Sequence, residues 1–256
     1  MRENTRAFLR EHSEEKYREF SGSLIPGEKT MLGVRLPILR KKAQEIAKAD
    51  WKEELQSEDI YFEEVMLRGM IISYVKGSMD EMLPYIEAFI PCVNNWSVCD
   101  SVFMKMDVLR LDRERTWEFI QPFLASDQEF ENRVAIIIMM QHLLKCDENG
   151  KTMKRLRQVT MEQCRGKKEQ EMLAPDGKYL QRVLQALNRP YTAYYASMAA
   201  AWTIAEAFCC FPSQVLTYMK DNQLDDVTYN RALQKMVESL IPQPDVKEML
   251  KKMKRK

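Results

Sequence analysis

Residues 126–140 read SDQEFENRVAIIIMM, and the run Val134–Met140 within them is apolar on every side of a helix. A helix without a polar face has no side to turn to water, so it lies among other helices. Ser126 and Glu129 stand at capping-box spacing, which predicts a helix start at about residue 127. Upstream, residues 61–76 read YFEEVMLRGMIISYVK, a second strongly apolar stretch, predicted as a helix over about 60–75. Residues 3–20 carry Phe8, Leu9, Tyr17 and Phe20 among charges, before Pro26-Gly27 breaks the pattern. Pro37 suits the first turn of a helix over 37–48, whose Ile38, Leu39, Ala43, Ile46 and Ala47 share one side. The same reading predicts helices at about 79–90, 113–125, 178–187, 191–210, 212–221, 227–240 and 244–253. No stretch alternates like a convincing strand, and no exact internal repeat is visible. Many helices with short links predict one all-α domain over residues 1–256, of helix pairs packed as a bundle or an α-solenoid.

Residues 146–177 interrupt this pattern. They contain Asp147-Glu148-Asn149-Gly150, then KTMKRLRQV, then GKKEQE, then Pro175-Asp176-Gly177. They read as a surface insertion with one basic helix.

The composition agrees with a helical globular chain. Hydrophobic residues make up 45% and charged residues 30%, with 8 Gly against 18 Met. The net charge of +1 excludes a polycation, so a nucleic-acid site has to be a local patch. The opening MRENTRAFLR lacks the apolar core of a signal peptide, and Val134–Met140 is too short to span a bilayer. A cytoplasmic protein with no membrane partner is expected. Cys92, Cys99, Cys146, Cys164, Cys209 and Cys210 form no C-x-x-C motif, which predicts reduced thiols, most of them in the core. His12 and His142 are the only histidines, and no phosphate-binding loop or zinc spacing occurs, so neither metal nor cofactor is expected.

Three places carry candidate chemistry. In Asn94-Asn95-Trp96-Ser97-Val98-Cys99-Asp100 the asparagines suit a helix N-cap, predicting a helix to about Leu109. Trp96 and Asp100, four apart, share a helical surface, and Asp100 lies at the edge of the apolar face made by Cys99, Val102, Phe103 and Met106. Asp100 either faces a groove between helices or is solvated, with Trp96 a core residue. Arg133 directly precedes the apolar run. It either snorkels to solvent or pairs with an anion: a phosphate, Asp100, or a carboxylate such as Glu129. Trp202 follows the small residues of YYASMAAAW on one helix and is either a core residue or an aromatic wall of a nucleotide cleft. The basic stretches Arg35–Lys42, Lys151–Lys168 and Lys247–Lys256 either contact phosphates or are solvated faces, and the tail KKMKRK is expected to fray.

Taken together, six segments resemble the HEAT-like-repeat family of bacterial DNA alkylation-repair glycosylases, the AlkD type. GVRLPILRK (33–41) is similar to its turn-helix signature and FEEVMLRGMII (62–72) to a following helix. NNWSVCD (94–100) resembles its Trp-x-x-x-Asp motif and SDQEFENRVAII (126–137) its Arg-bearing helix. YYASMAAAWTIAEAF (194–208) resembles its late Trp helix and TYNRALQKMVES (228–239) its closing helix. The resemblance implies a C-shaped α-α superhelix of HEAT-like pairs that holds duplex DNA, acting as a monomer. It implies excision of N3- and N7-alkylated purines by cleavage of the N-glycosidic bond without base flipping. By the same resemblance Asp100 is the catalytic carboxylate, Trp96 and Trp202 the flanking aromatics, and Arg133 the DNA-facing cation; Arg35 and Arg40, from the basic stretch 35–42, are the further DNA-binding candidates. The chain departs from the pattern at Ser97, where active members often carry Asp, and at Ala205, where they often carry a basic residue. These departures motivate an alternative, a non-catalytic helical-repeat scaffold that binds structured DNA or a protein.

Overall fold

The computed structural model describes residues 2–25, 27–28, 30–56, 58–146, 151–152, 156–166 and 177–256. Among these residues the protein is all-α, with two isolated β-bridges and no strand. The chain divides into two compact units, Met1–Asp112 and Arg113–Lys256. Among the described residues no helix is long and apolar enough to cross a membrane.

The first unit contains α1 (Arg2–Glu11), α2 (Glu15–Leu24), α3 (Leu36–Ile46), α4 (Trp51–Leu55), α5 (Phe62–Tyr74), α6 (Met79–Phe89) and α7 (Trp96–Phe103). Helices α3, α5 and α7 form a row with α5 in the middle, and α4 and α6 pack against α5. This alternation is the layering of a helical repeat. The single helix expected over 3–20 is broken at residues 12–14. The cause is a distant strut: the Glu14 N–H donates to the Gly33 carbonyl at 3.1 Å. Gly33 has φ +91°, and a Cβ there would fall 2.5 Å from the Glu14 carbonyl oxygen, so only glycine lets the two backbones meet.

The middle helix is anchored by two buried carboxylates in its first turn. Glu63 accepts the backbone N–H groups of Leu32 (2.9 Å), Gly33 (2.7 Å) and Val34 (3.1 Å), fixing the loop that leads into α3. Glu64 accepts those of Ile60 (2.6 Å) and Tyr61 (3.0 Å) and pairs with Arg6 at 2.8 Å, fixing α1. Buried carboxylates are costly unless hydrogen-bonded, and here every oxygen accepts a donor. Farther along α5, a Cβ on Gly69 would meet the Phe89 ring at 2.5 Å and Val102 at 2.6 Å. The absent side chain is what lets α6 and α7 close onto α5.

The second unit contains α8 (Arg113–Leu124), α9 (Glu129–Ile138), α10 (Met161–Cys164), α11 (Gly177–Leu187), α12 (Tyr194–Phe208), α13 (Pro212–Lys220), α14 (Asp226–Glu238) and α15 (Pro244–Lys252). α9 widens into a π-turn over Met139–Leu144. Helices α9, α12 and α14 form its central row, with α8 on α9, α13 on α12 and α15 on α14. As the apolar run predicts, Val134–Met140 is buried throughout. The row is tied by Ser197 of α12 and Thr228 of α14, whose hydroxyls are 2.7 Å apart.

Three local expectations change. Ser126 accepts the Gln128 N–H and donates to Glu131, while Glu129 turns to Tyr195, so no capping box forms and α9 starts two residues later. The basic helix expected within 146–177 falls partly on 147–150, 153–155 and 167–176, which lie outside the described residues. Its described parts, 151–152 and 156–159, are not helical: Val159 is buried and bonds through its N–H to the Ile241 carbonyl and through its carbonyl to the Gln243 N–H. The tail is not frayed. Arg255 stacks 3.8 Å over the Tyr229 ring and donates to the Leu224 carbonyl and to Asn222, while its backbone exchanges two hydrogen bonds with Asn230.

Candidate nucleic-acid interface

The residues picked out by sequence fall in both units. In the first, Asn95 caps α7 by accepting the Val98 N–H at 3.0 Å, as its type and position predict. Cys99, Val102, Phe103 and Met106 are fully buried, which leaves Trp96, Ser97, Asp100, Ser101 and Met104 partly exposed along the other side. Asp100 therefore lies one turn below Trp96 on the open face of α7. The Trp96 indole N–H donates to the Leu24 carbonyl at 3.1 Å, which pins the ring against the end of α2. Trp96 is thus neither a core residue nor a freely rotating one. A cleft of about 380 Å³ opens between the N-terminal ends of α5 and α7, lined by Thr30, Asp59, Tyr61, Val65, Asn94 and Val98 but not by Trp96 or Asp100.

Arg35 and Arg40 lie at the start and middle of α3 and differ in state. Arg35 is exposed, but Glu14 holds it in a two-pronged pair at 2.7 and 2.8 Å, and it stacks 4.9 Å from the Tyr17 ring. The guanidinium in turn holds the Glu14 carboxyl below its ordinary range. Arg40 is half-buried and has no ion pair among the described residues.

In the second unit Arg133 is 5% exposed, and its guanidinium donates to the Tyr195 carbonyl at 2.9 Å. One turn earlier on α9, Glu129 accepts the Tyr195 N–H. The two side chains grip both backbone groups of one residue, and Phe130 packs its ring 5.2 Å from that of Tyr195. Arg133 therefore holds the start of α12 from within, whereas the resemblance implies a cation facing DNA. The i, i+4 spacing of Glu129 and Arg133 put them on one surface. Their shared target is 62 residues beyond Arg133 and leaves no local trace.

Trp202 lies on the one open stripe of α12, with Tyr194, Tyr195 and Met198. Its indole N–H donates to Glu206 at 3.1 Å, and the other Glu206 oxygen is 3.2 Å from Lys145. Glu206 and Lys145 are nearly buried, with side chains 10% and 13% exposed, so this charge pair fixes the plane of the ring. Sequence reading missed both members. Ala205, at the position where the resemblance implies a basic residue, is 5% exposed. Arg231 supplies a cation near the stripe, 4.6 Å over the Tyr194 ring and hydrogen-bonded to Ser197.

Among the described residues no three His, Cys, Asp or Glu side chains gather as metal ligands. All six cysteines are free, four of them buried. The chain matches the family described as DNA alkylation repair enzyme over residues 5–163, more than half its length, a span that includes Trp96, Asp100 and Arg133. No curated protein matches it.

Proposed function

Because the chain belongs to the DNA alkylation repair enzyme family, we propose that it is a monofunctional glycosylase acting on N3- and N7-alkylated purines in duplex DNA. The observation that carries this reading is the pairing of a part-exposed carboxylate, Asp100, with a part-exposed and pinned indole, Trp96, on the open face of α7. Alkylation at N3 or N7 leaves the purine cationic. When the C1′–N bond breaks, its electron pair goes to the ring and the base departs neutral. The deoxyribose is left as an oxocarbenium ion, which needs negative charge and not a general acid. Asp100 supplies that charge, orients the water that adds to C1′ and accepts its proton. The Trp96 ring, held in place by Leu24, offers a π face to the same cation. Within the second unit, Glu206 and Lys145 fix the Trp202 indole, a part-exposed aromatic on the open stripe of α12. The base need not leave the stack, because no acid has to reach it.

Arg40 and Arg35 are the phosphate-contacting cations in this reading, Arg35 only after a phosphate displaces Glu14. Arg133 acts as a positioning residue for α12.

The test is release of 7-methylguanine from duplex DNA by wild type and Asp100→Asn. We expect the variant to stay folded and to lose on the order of 100-fold or more in rate. Equal rates overturn the assignment of Asp100. The alternative, a DNA- or protein-binding scaffold without turnover, is favoured by the burial of Arg133, whose guanidinium is spent on the Tyr195 carbonyl, and by the uncharged Ala205. It predicts binding with no base release by wild type.

A further inference from the structure

The helix row of the first unit has a second end. Two clefts open there, one of about 690 Å³ lined by Lys48, Trp51 and Lys76, the other of about 810 Å³ lined by Lys76, Ser78 and Lys105. The clefts share Tyr74, Val75 and Lys76, so they adjoin. Their linings also show that α3, α5 and α7 end on the same side. Each of these helices is followed by a lysine two residues past its last turn: Ile46 by Lys48, Tyr74 by Lys76 and Phe103 by Lys105. All three lysines are exposed, and none has a side-chain hydrogen bond or ion pair among the described residues. The carboxylates that line the same clefts are already matched: Glu81 lies 3.3 Å from Lys52, and Asp107 lies 3.6 Å from Arg110. Three positive charges are thus left uncompensated along one edge.

We propose that this edge is a phosphate-contacting strip for the backbone of duplex DNA. The inference rests on the reading of the chain as an enzyme of duplex DNA, and it concerns binding alone. Spacing selects the ligand. Packed helices lie about 8–10 Å apart, so the three ammonium groups are spread over roughly 16–20 Å. A nucleotide or free phosphate needs cations converging on one point. A duplex strand presents a phosphate about every 3.4 Å along its axis, so the strip spans roughly five of them. Its repeat comes from the helix row itself. A lysine after a helix also answers the negative end of the helix dipole, which explains one such residue but not the matched carboxylates beside all three.

The test compares the wild type, the triple variant Lys48→Gln/Lys76→Gln/Lys105→Gln, and a control with three exposed lysines of the second unit replaced, Lys220→Gln/Lys252→Gln/Lys256→Gln. Affinity for undamaged duplex is measured by fluorescence anisotropy against KCl concentration. We expect the slope of log K on log [KCl] to become shallower by about 2.7 in the strip variant, about 0.9 for each lost contact, and to stay unchanged in the control. An unchanged slope in the strip variant overturns the proposal, whatever its melting temperature does. So does an equal loss in the control, or a wild type without salt-dependent binding. Base release is scored separately. Wild type that shows the slope difference yet releases no base overturns the glycosylase reading and leaves the strip standing.

Discussion

Replacing Glu63 should separate a structural carboxylate from a catalytic one. Glu63 is 1% exposed and accepts three backbone N–H groups, Gly33 and Val34 on one oxygen and Leu32 on the other. A hydrogen bond to a charged group contributes about 1.5–3 kcal/mol net. Glu63→Ala strands all three donors, two of them on buried residues, and should cost on the order of 4–5 kcal/mol. Glu63→Gln can leave its carbonyl where Gly33 and Val34 are served, but its NH2 then faces the Leu32 N–H. One bond is lost and two donors meet, a cost of about 2 kcal/mol. The measurement is urea unfolding followed by hydrogen exchange at the amides of residues 32–34 and α5, so that the first unit is read by itself. The expected order is wild type, then Gln, then Ala, with the protection of residues 32–34 lost first. An alanine variant within about 1 kcal/mol of wild type refutes the reasoning. A glutamine variant of full stability that releases no base would move Glu63 into the chemistry.

Three further outcomes are expected. Gly69→Ala should destabilise the first unit by about 1–3 kcal/mol, because its Cβ would press on Phe89 and Val102; a companion Val102→Ala should recover part of the loss in thermal melts, and a neutral single variant would show that the helices are free to part. Burial, and then Asp245, push the Cys164 thiol up to about 11, so deprotonation is disfavoured in the folded protein. Iodoacetamide labelling of Cys164, followed by peptide mass spectrometry, should therefore rise about tenfold per pH unit from pH 8 to about pH 11; a plateau near pH 9 contradicts this. Arg255→Ala removes the contacts to Leu224, Asn222, Asp226 and the Tyr229 ring, and should cost about 2 kcal/mol; unchanged hydrogen exchange across residues 222–230 would show that the tail is not a fastening.

What could be read in advance was whatever depends on near neighbours. The Asn95 cap, the buried side of α7 and the apolar run of α9 follow from residue type and helical spacing, and the structure has all three. What could not be read depends on partners far along the chain. The break at residues 12–14 is made by Gly33, and the burial of Arg133 by Tyr195. Glu63 and Glu64, in the first turn of a helix, look like ordinary dipole partners until the loop at 32–34 and Arg6 arrive. Val159 is extended because residues 241–243 offer it a bridge, which a basic composition does not reveal. Trp96 and Asp100 could be placed on one surface of α7 by spacing alone, but the pinning of Trp96 by Leu24 in the first unit, and of Trp202 by Glu206 and Lys145 in the second, could not.

Helix α12 bears on how this protein can diverge. It is buried almost all round, and alanine fills its close approaches to α9 and α14. A larger residue at Ala199, Ala200 or Ala201 would collide with a neighbouring helix, so selection on folding alone keeps those sites small. Substitutions that spare the fold are confined to Tyr194, Tyr195, Met198 and Trp202. Those four residues form the open stripe of the helix. Drift in the sequence of α12 is thereby channelled onto that stripe, and relatives should differ there while their alanines stay the same.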